Sequence, residues 1–188
     1  TTATPVTPPG VPTSLGSTAG DAQVELAWTA PTSNGGASLS GYKVESSTDS
    51  GSSWSTVVAD TASASTAYTA TSLTNGTEID FRVSAINSVG TGSASSSTSA
   101  TPRTTPGQPT ALAGTPGNGE VSLSWTAPES TGGASISGYT VESSTDGGSN
   151  WSTSIADTGT SSTSAVVDGL SNGTVATFRV SAVNVAGT

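Results

Sequence analysis

The stretch ESSTDSGSSWST at residues 45–56 returns almost unchanged as ESSTDGGSNWST at residues 142–153. The offset is 97 residues, and it relates five large apolar residues of the first copy to identical residues in the second without insertion or deletion. These pairs are Trp28 and Trp125, Tyr42 and Tyr139, Trp54 and Trp151, Leu73 and Leu170, and Phe81 and Phe178. Because a unit of about 100 residues can bury a core of its own, the repeat predicts two tandem domains.

Short stretches inside each copy alternate between apolar and polar residues, which is the period of a half-buried β-strand. AQVELAW (22–28) and GYKVES (41–46) follow this pattern. In TEIDFRVSA (77–85) one set is predicted to point inward, namely Ile79, Phe81, Val83 and Ala85, and the other outward, namely Glu78, Asp80, Arg82 and Ser84. Between the strands lie clusters of Gly, Asn, Asp and Ser that favour turns. The pattern predicts an all-β sandwich in each copy.

The order of motifs along each copy resembles the fibronectin type III domain. In the first copy the motifs are V-x-L-x-W-x-x-P (24–31), GY-x-V-x-S-S-T-D (41–49), L-x-N-G-T (73–77) and F-R-V-S-A-x-N (81–87). The D-S-G-S-S-W stretch (49–54) is similar to the bacterial form of the family. The resemblance implies two tandem immunoglobulin-like β-sandwiches from an extracellular bacterial protein.

A structural core follows from the same resemblance. Its predicted members are Trp28, Tyr42, Leu73, Phe81, Trp125, Tyr139, Leu170 and Phe178. The family usually has a tyrosine two residues before the aromatic residue of its sixth strand. Its hydroxyl hydrogen-bonds to the backbone of the turn before that strand, which is called the corner. Here those positions are Ile79 and Ala176. We therefore expect lower stability, or a corner held by the turns at Asn75-Gly76 and Asn172-Gly173.

The predicted domain limits place residues 1–9 at the end of a preceding repeat or in an N-terminal linker. The first domain then covers residues 10–102, a short linker 103–106, and the second domain 107–188. Residues 93–101 are predicted to form the last strand of the first domain, and the sequence reaches Thr188 before an equivalent strand in the second. Either the sequence is a window on a longer array, or the open edge accepts a strand from a neighbouring subunit.

Composition restricts the chemistry. The sequence contains no His, Cys or Met, so imidazole and thiolate catalysis have no residues to use, and we expect no enzyme activity and no cofactor. The net charge is −9, which argues against nucleic acid as a partner. No apolar run is long enough to insert into a membrane. Asp49 and Asp146 recur in both copies, but we expect them to cap a hairpin turn and predict no metal site.

Trp54 and Trp151 are the candidate contact residues, and two interpretations are open. An aromatic ring on a hairpin can stack on a sugar, and two copies would add avidity. Alternatively, each tryptophan covers the edge of its own core.

These observations together favour a non-catalytic structural or adhesive spacer in an extracellular or cell-surface protein of bacteria. One alternative is an accessory, carbohydrate-binding module of a secreted enzyme that degrades polysaccharides. Another is a subunit of an extracellular filament or virion appendage assembled by strand complementation. The expected partners are neighbouring repeats or subunits, and polysaccharide in the first alternative.

Overall fold

The computed structural model describes residues 4–188, and these residues fold into two compact units, with the division of the chain between Pro102 and Arg103. All regular secondary structure in this part of the chain is β-strand, which confirms the predicted fold class. Among residues 4–188 no helix is long and apolar enough to cross a membrane.

The first domain packs two antiparallel sheets, with strand orders β1-β2-β5 and β4-β3-β6-β7, and β8 also pairs with β6. Its strands are β1 (Thr13–Gly20), β2 (Gln23–Thr29), β3 (Leu39–Ser47), β4 (Ser55–Val58), β5 (Ala67–Thr71), β6 (Ile79–Asn87), β7 (Gly90–Ala94) and β8 (Thr98–Ala100).

The second domain repeats this arrangement with sheets β13-β10-β9 and β12-β11-β14. Its strands are β9 (Thr110–Pro116), β10 (Val121–Thr126), β11 (Gly138–Ser144), β12 (Ser152–Ile155), β13 (Ser164–Val167) and β14 (Thr177–Val183). After β14 the described residues form one isolated bridge, between Asn184 and Gly187.

The core of each domain lies between its two sheets. Trp28 of β2 packs edge-on against Tyr42 of β3, with ring centroids 5.0 Å apart, and Trp125 and Tyr139 repeat this contact at the same distance. These four side chains and Phe81 are buried. Leu73, Leu170 and Phe178 are partly buried and pack against the edges of the two clusters. Phe81 is more deeply covered than Phe178 because β8 pairs beside it, with Thr98 as its partner.

Two details differ from the sequence prediction. Ser84 was expected to point to solvent, yet it is only 4% exposed, because it sits between Lys43 of β3 and Ala94 of β7 in the centre of a sheet. The predicted last strand over 93–101 is divided into β7 and β8. At the break, Ser95 both donates its amide to the Val83 carbonyl and accepts the Val83 amide on its hydroxyl, so a side chain replaces one ladder bond.

The segment before each first strand is bonded to its own domain. The Thr7 amide donates to the Gly35 carbonyl (2.9 Å), and the Asn87 side-chain amide donates to the Thr7 carbonyl (2.7 Å). Residues 1–3 of the predicted preceding repeat lie outside the described residues, but Thr7, in the same predicted segment, is tied to the first domain.

The second domain makes the same bonds from within the predicted linker. The Thr104 amide donates to the Gly132 carbonyl (2.8 Å), and Asn184 donates to the Thr104 carbonyl (2.8 Å). Thr104, within the predicted linker, is therefore hydrogen-bonded to the second domain.

The corner without the family tyrosine is held by an asparagine side chain. Asn75 accepts the Ala22 amide (2.9 Å) and donates to Asp21 (2.8 Å), so it joins its turn to the β1–β2 turn. Asn172 does the same in the second domain, where it accepts the Gly119 amide and donates to Asn118. Ile79 meanwhile is buried in the core. An amide bridge thus takes the place of the tyrosine hydroxyl.

Backbone strain distinguishes the two copies. Five residues of the first domain have a positive φ although they carry a side chain, and four of them have a glycine with positive φ as their counterpart 97 residues later. The pairs are Ala22 and Gly119, Ser50 and Gly147, Ala62 and Gly159, and Ser72 and Gly169. A left-handed conformation costs an ordinary residue about 1–2 kcal/mol. The first domain therefore carries turn strain that the second avoids.

We expect Ala62→Gly to raise the unfolding free energy of the first domain by about 0.5–1 kcal/mol, since the strain relieved exceeds the added chain entropy. The reverse change at the equivalent position, Gly159→Ala at φ 63°, should lower the unfolding free energy of the second domain by about 1 kcal/mol. Urea denaturation followed by NMR signals of each domain measures both changes. Equal loss of stability in the two variants would contradict the strain argument.

Candidate functional site

The most distinctive surface cluster in each domain joins a tryptophan, an arginine and a glutamate on one sheet. In the first domain Glu45 of β3 and Arg82 of β6 are direct cross-strand partners. The Arg82 Nε donates to Glu45 Oε2 (2.9 Å), and its guanidinium carbon lies 4.2 Å from the centre of the Trp54 ring. Such a stack is favourable because the ring face carries negative charge density. The arginine thus links the hairpin tryptophan to the sheet.

The Trp54 ring is also held by the hairpin before β4. Its Nε1 donates to the Gly51 carbonyl (3.1 Å). A methyl group on Gly51 would lie 3.4 Å from Trp54 Cζ2, so the turn backbone is close to the ring. With the arginine on its face and the turn beside it, the ring is half-buried rather than presented as an open platform.

The second domain repeats the cluster with Trp151, Arg179 and Glu142. The guanidinium carbon of Arg179 lies 4.4 Å from the ring centre, and its Nε and Nη2 contact the two carboxylate oxygens at 2.6 and 3.0 Å. The first domain adds Lys43, whose Nζ lies 2.6 Å from Glu45 Oε1, whereas its counterpart is Thr140. Each glutamate is therefore bonded through both of its oxygens.

The electrostatics of the cluster follow from these contacts. Burial acts to raise the pKa of Glu45, but hydrogen bonds from Lys43 and Arg82 outweigh it and lower the pKa below its ordinary value. The hydrogen bond from Arg179 lowers the pKa of Glu142 and raises the pKa of Arg179. Both carboxylates are stable anions at neutral pH, which is the opposite of what a general acid needs.

The hairpin itself is closed by an aspartate, as the sequence predicted. Asp49 accepts hydrogen bonds from the Ser47 hydroxyl (2.6 Å) and from the Ser53 amide (2.9 Å). In the second copy Asp146 accepts from the Ser144 hydroxyl (2.7 Å) and from the Asn150 amide (2.9 Å). The two carboxylates are therefore turn caps.

The hairpin predicts a pH dependence of stability. The hydroxyl of Ser47, then the hydroxyl and amide of Ser53, lower the pKa of Asp49 from 3.8 to about 2. Because the folded-state pKa is depressed, this stabilisation is present above pH 3.8 and is lost as the pH falls toward about 2. In Asp49→Asn we expect a smaller decline of first-domain stability over this range, measured by urea denaturation at each pH. An unchanged decline would contradict the assignment.

Sequence reasoning singled out the two tryptophans but missed their arginine and glutamate partners. The signal was available, because Glu45 and Arg82 both lie on outward-facing strand positions and recur as Glu142 and Arg179. What the sequence does not give is the strand register that makes them neighbours. Within residues 4–188 no group of three acidic side chains is placed to hold a metal ion.

Comparison with known proteins assigns the fold to a family. The model of the fibronectin type III domain matches residues 8–101 and again residues 105–188. The chain belongs to the fibronectin type III family. Both copies are covered nearly end to end, so the domain resemblance noted from the sequence is confirmed for the tandem arrangement.

Two curated relatives and one solved structure illustrate the similarity. The chain is 31% identical over 170 residues to cardiac-type myosin-binding protein C of Gallus gallus, and 32% identical over 173 residues to that of Rattus norvegicus. These alignments cover 89% and 91% of the chain but 13% of each relative. The crystal structure of chicken CNTN1 FN1–FN3 domains is 23% identical, with a TM-score of 0.49, and aligns with 96% of this chain and 63% of that one. The relatives are animal proteins and give no support to a bacterial origin.

Proposed function

We propose that this fibronectin type III pair is a non-catalytic structural spacer within a larger protein. The observation that supports the proposal is the bonding within the surface cluster of each domain. Its arginine is bonded to glutamate and stacked on tryptophan of the same domain, and its carboxylate is bonded through both oxygens. The charged and aromatic side chains of this cluster therefore stabilise the domain itself. The family membership agrees with this role, because relatives carry such domains as parts of much longer chains.

The junction between the domains fits a spacer. The Pro102 carbonyl accepts the Gly76 amide of the first domain (2.9 Å), and the Thr104 amide donates to Gly132 of the second (2.8 Å). Arg103 alone separates these two bonded residues along the chain. A junction this short adds little chain entropy of its own.

A distance measurement between the domains tests the spacer proposal. The chain contains no cysteine, so Glu25→Cys and Ser122→Cys, at equivalent exposed positions of β2 and β10, would carry two unique spin labels. Pulsed electron paramagnetic resonance should give a narrow distance distribution, and insertion of a flexible Gly-Ser segment after Arg103 should broaden it. A distribution that is already broad, and that the insertion leaves unchanged, would contradict the proposal.

The carbohydrate-binding alternative has less support. A sugar platform needs an open aromatic face, whereas Arg82 lies over the Trp54 ring and Arg179 over the Trp151 ring. The extracellular setting, the bacterial origin and the polysaccharide partner stay predictions from the sequence.

The strand-complementation alternative has one observation in its favour. In the second domain the lining of a groove of about 470 Å³ includes the apolar residues Leu112, Leu123 and Phe178. In the first domain β8 runs along this position, and Ala100 packs against the core. The occupant that fits is an extended strand of the same kind as residues 90–102. A synthetic peptide of these residues should bind the chain and stabilise the second domain if the alternative holds, and absence of binding would dismiss it.

A further inference from the structure

The chain contains four Asn-Gly dipeptides, and each is a potential site of spontaneous chemical modification. They are Asn34-Gly35, Asn75-Gly76, Asn118-Gly119 and Asn172-Gly173. In this reaction the glycine nitrogen attacks the asparagine Cγ, the bond from Cγ to the side-chain nitrogen breaks, and ammonia leaves. Water then opens the cyclic imide to aspartate or isoaspartate. No oxidant or reductant takes part, and glycine permits the attack because it has no side chain to hinder it.

In three of the four dipeptides, hydrogen bonds of the folded chain oppose this reaction. The Asn75 carboxamide is bonded at both ends, to the Ala22 amide and to Asp21, and the Gly76 nitrogen donates to the Pro102 carbonyl (2.9 Å). Because the nucleophile and its target are both fixed by other partners, attack requires breaking this network.

Asn118 and Asn172 hold each other. Asn172 Nδ2 donates to Asn118 Oδ1 (2.8 Å), and the Gly119 nitrogen donates to Asn172 Oδ1 (2.8 Å). The carboxamide of Asn172 is thus bonded at both ends, and the nitrogen that would attack Asn118 is already a donor to Asn172.

Hydrogen bonds constrain the Asn34-Gly35 dipeptide least of the four. Its side chain is exposed, and among residues 4–188 its Nδ2 has no hydrogen-bond partner. The Gly35 nitrogen makes a long bond (3.2 Å) to the exposed Ser33 hydroxyl. The Gly36 amide donates to Asn34 Oδ1 (2.9 Å), so the described residues bond this carboxamide at one end only.

The backbone around Asn34 connects the β2–β3 loop to the leading segment of the domain, residues 4–10. The Thr7 amide donates to the Gly35 carbonyl, and Asn87 donates to both the Thr7 and the Asn34 carbonyls (2.7 and 2.8 Å). Isoaspartate adds one methylene group to the main chain, so these carbonyls cannot all keep their positions.

We propose that Asn34 is the chain's preferred deamidation site and that its conversion to isoaspartate releases the leading segment of the first domain. The second domain supplies a matched control. There the equivalent dipeptide is Thr131-Gly132, with the same backbone bonds to Thr104 and Asn184, and threonine has no amide to lose.

Peptide mapping by mass spectrometry tests the site. After incubation of the intact chain in mildly alkaline buffer, Asn34 should be converted several-fold faster than the other three asparagines, with isoaspartate detected by enzymatic methyl labelling. In concentrated urea the four rates should converge, because the structure that protects three of them is gone. Conversion of Asn75, Asn118 or Asn172 at the rate of Asn34 in the folded chain would overturn the proposal.

Hydrogen exchange tests the consequence. In protein that carries isoaspartate in place of Asn34, the Thr7 amide should exchange faster while exchange of the Thr104 amide is unchanged. The Asn34→Thr variant, incubated in the same way, should not show this effect. Unchanged exchange at Thr7 in fully converted protein would overturn the release of the segment.

Discussion

Replacing Trp28 with alanine lowers the unfolding free energy of the first domain by about 3–5 kcal/mol. The side chain is 6% exposed and packs on Tyr42 at the centre of the core, so its removal leaves a cavity that the two sheets cannot close. A small domain has roughly 5–15 kcal/mol of stability in total, so this one change removes a large share. Urea denaturation followed by amide NMR signals of each domain separates the effect on the first domain from the second.

Trp28→Phe is the control for the packing argument. The Trp28 Nε1 is buried without a hydrogen-bond partner among the described residues, and an unpaired buried donor is unfavourable by about 1–3 kcal/mol. Phenylalanine keeps much of the ring and removes that donor, so its loss of stability should be well below that of alanine. Similar losses in the two variants would show that ring packing is not what Trp28 contributes.

Gly132→Ala lowers the unfolding free energy of the second domain by roughly 2–4 kcal/mol, from a left-handed backbone and a steric overlap together. Gly132 has a φ of 72°, and a Cβ there would overlap the carbonyl oxygen of Thr104 and lie 2.6 Å from that of Thr105. Both obstacles are main-chain atoms, so neither can move aside as a side chain can. Denaturation followed by signals of the second domain measures the loss.

Gly147→Ala isolates the contribution of the backbone angle. Gly147 has a φ of 74°, almost the same, but a Cβ there would meet nothing within 4 Å. Its replacement should lower stability by about 1–2 kcal/mol, the conformational term alone. If Gly132→Ala and Gly147→Ala lowered stability equally, the close approach of Thr104 would not contribute to the loss.

The strand pattern of both domains could be predicted from the sequence because alternation reports burial directly. Val24, Leu26 and Trp28 are buried as their spacing indicates. Prediction failed where a polar residue is buried by its position in the middle of a sheet. Ser84 is polar and lies on the outer face, yet neighbouring strands cover it.

The candidate site was only half visible from the sequence. The two tryptophans were evident from the repeat, but the pairing of Arg82 with Glu45 depends on the register of β3 and β6, which alternation alone does not fix. The strain at Ala62 was equally hidden, because an alanine gives no local sign that its turn needs a positive φ.

We expect the first domain to close its own core and to end at Pro102. A two-dimensional amide NMR spectrum of residues 4–102 alone, overlaid on that of the full chain, tests it most directly. We predict a well-dispersed spectrum whose peaks coincide with those of the first domain in the full chain, except next to Pro102. Collapsed dispersion, or shifts spread through β3 and β6, would contradict the account.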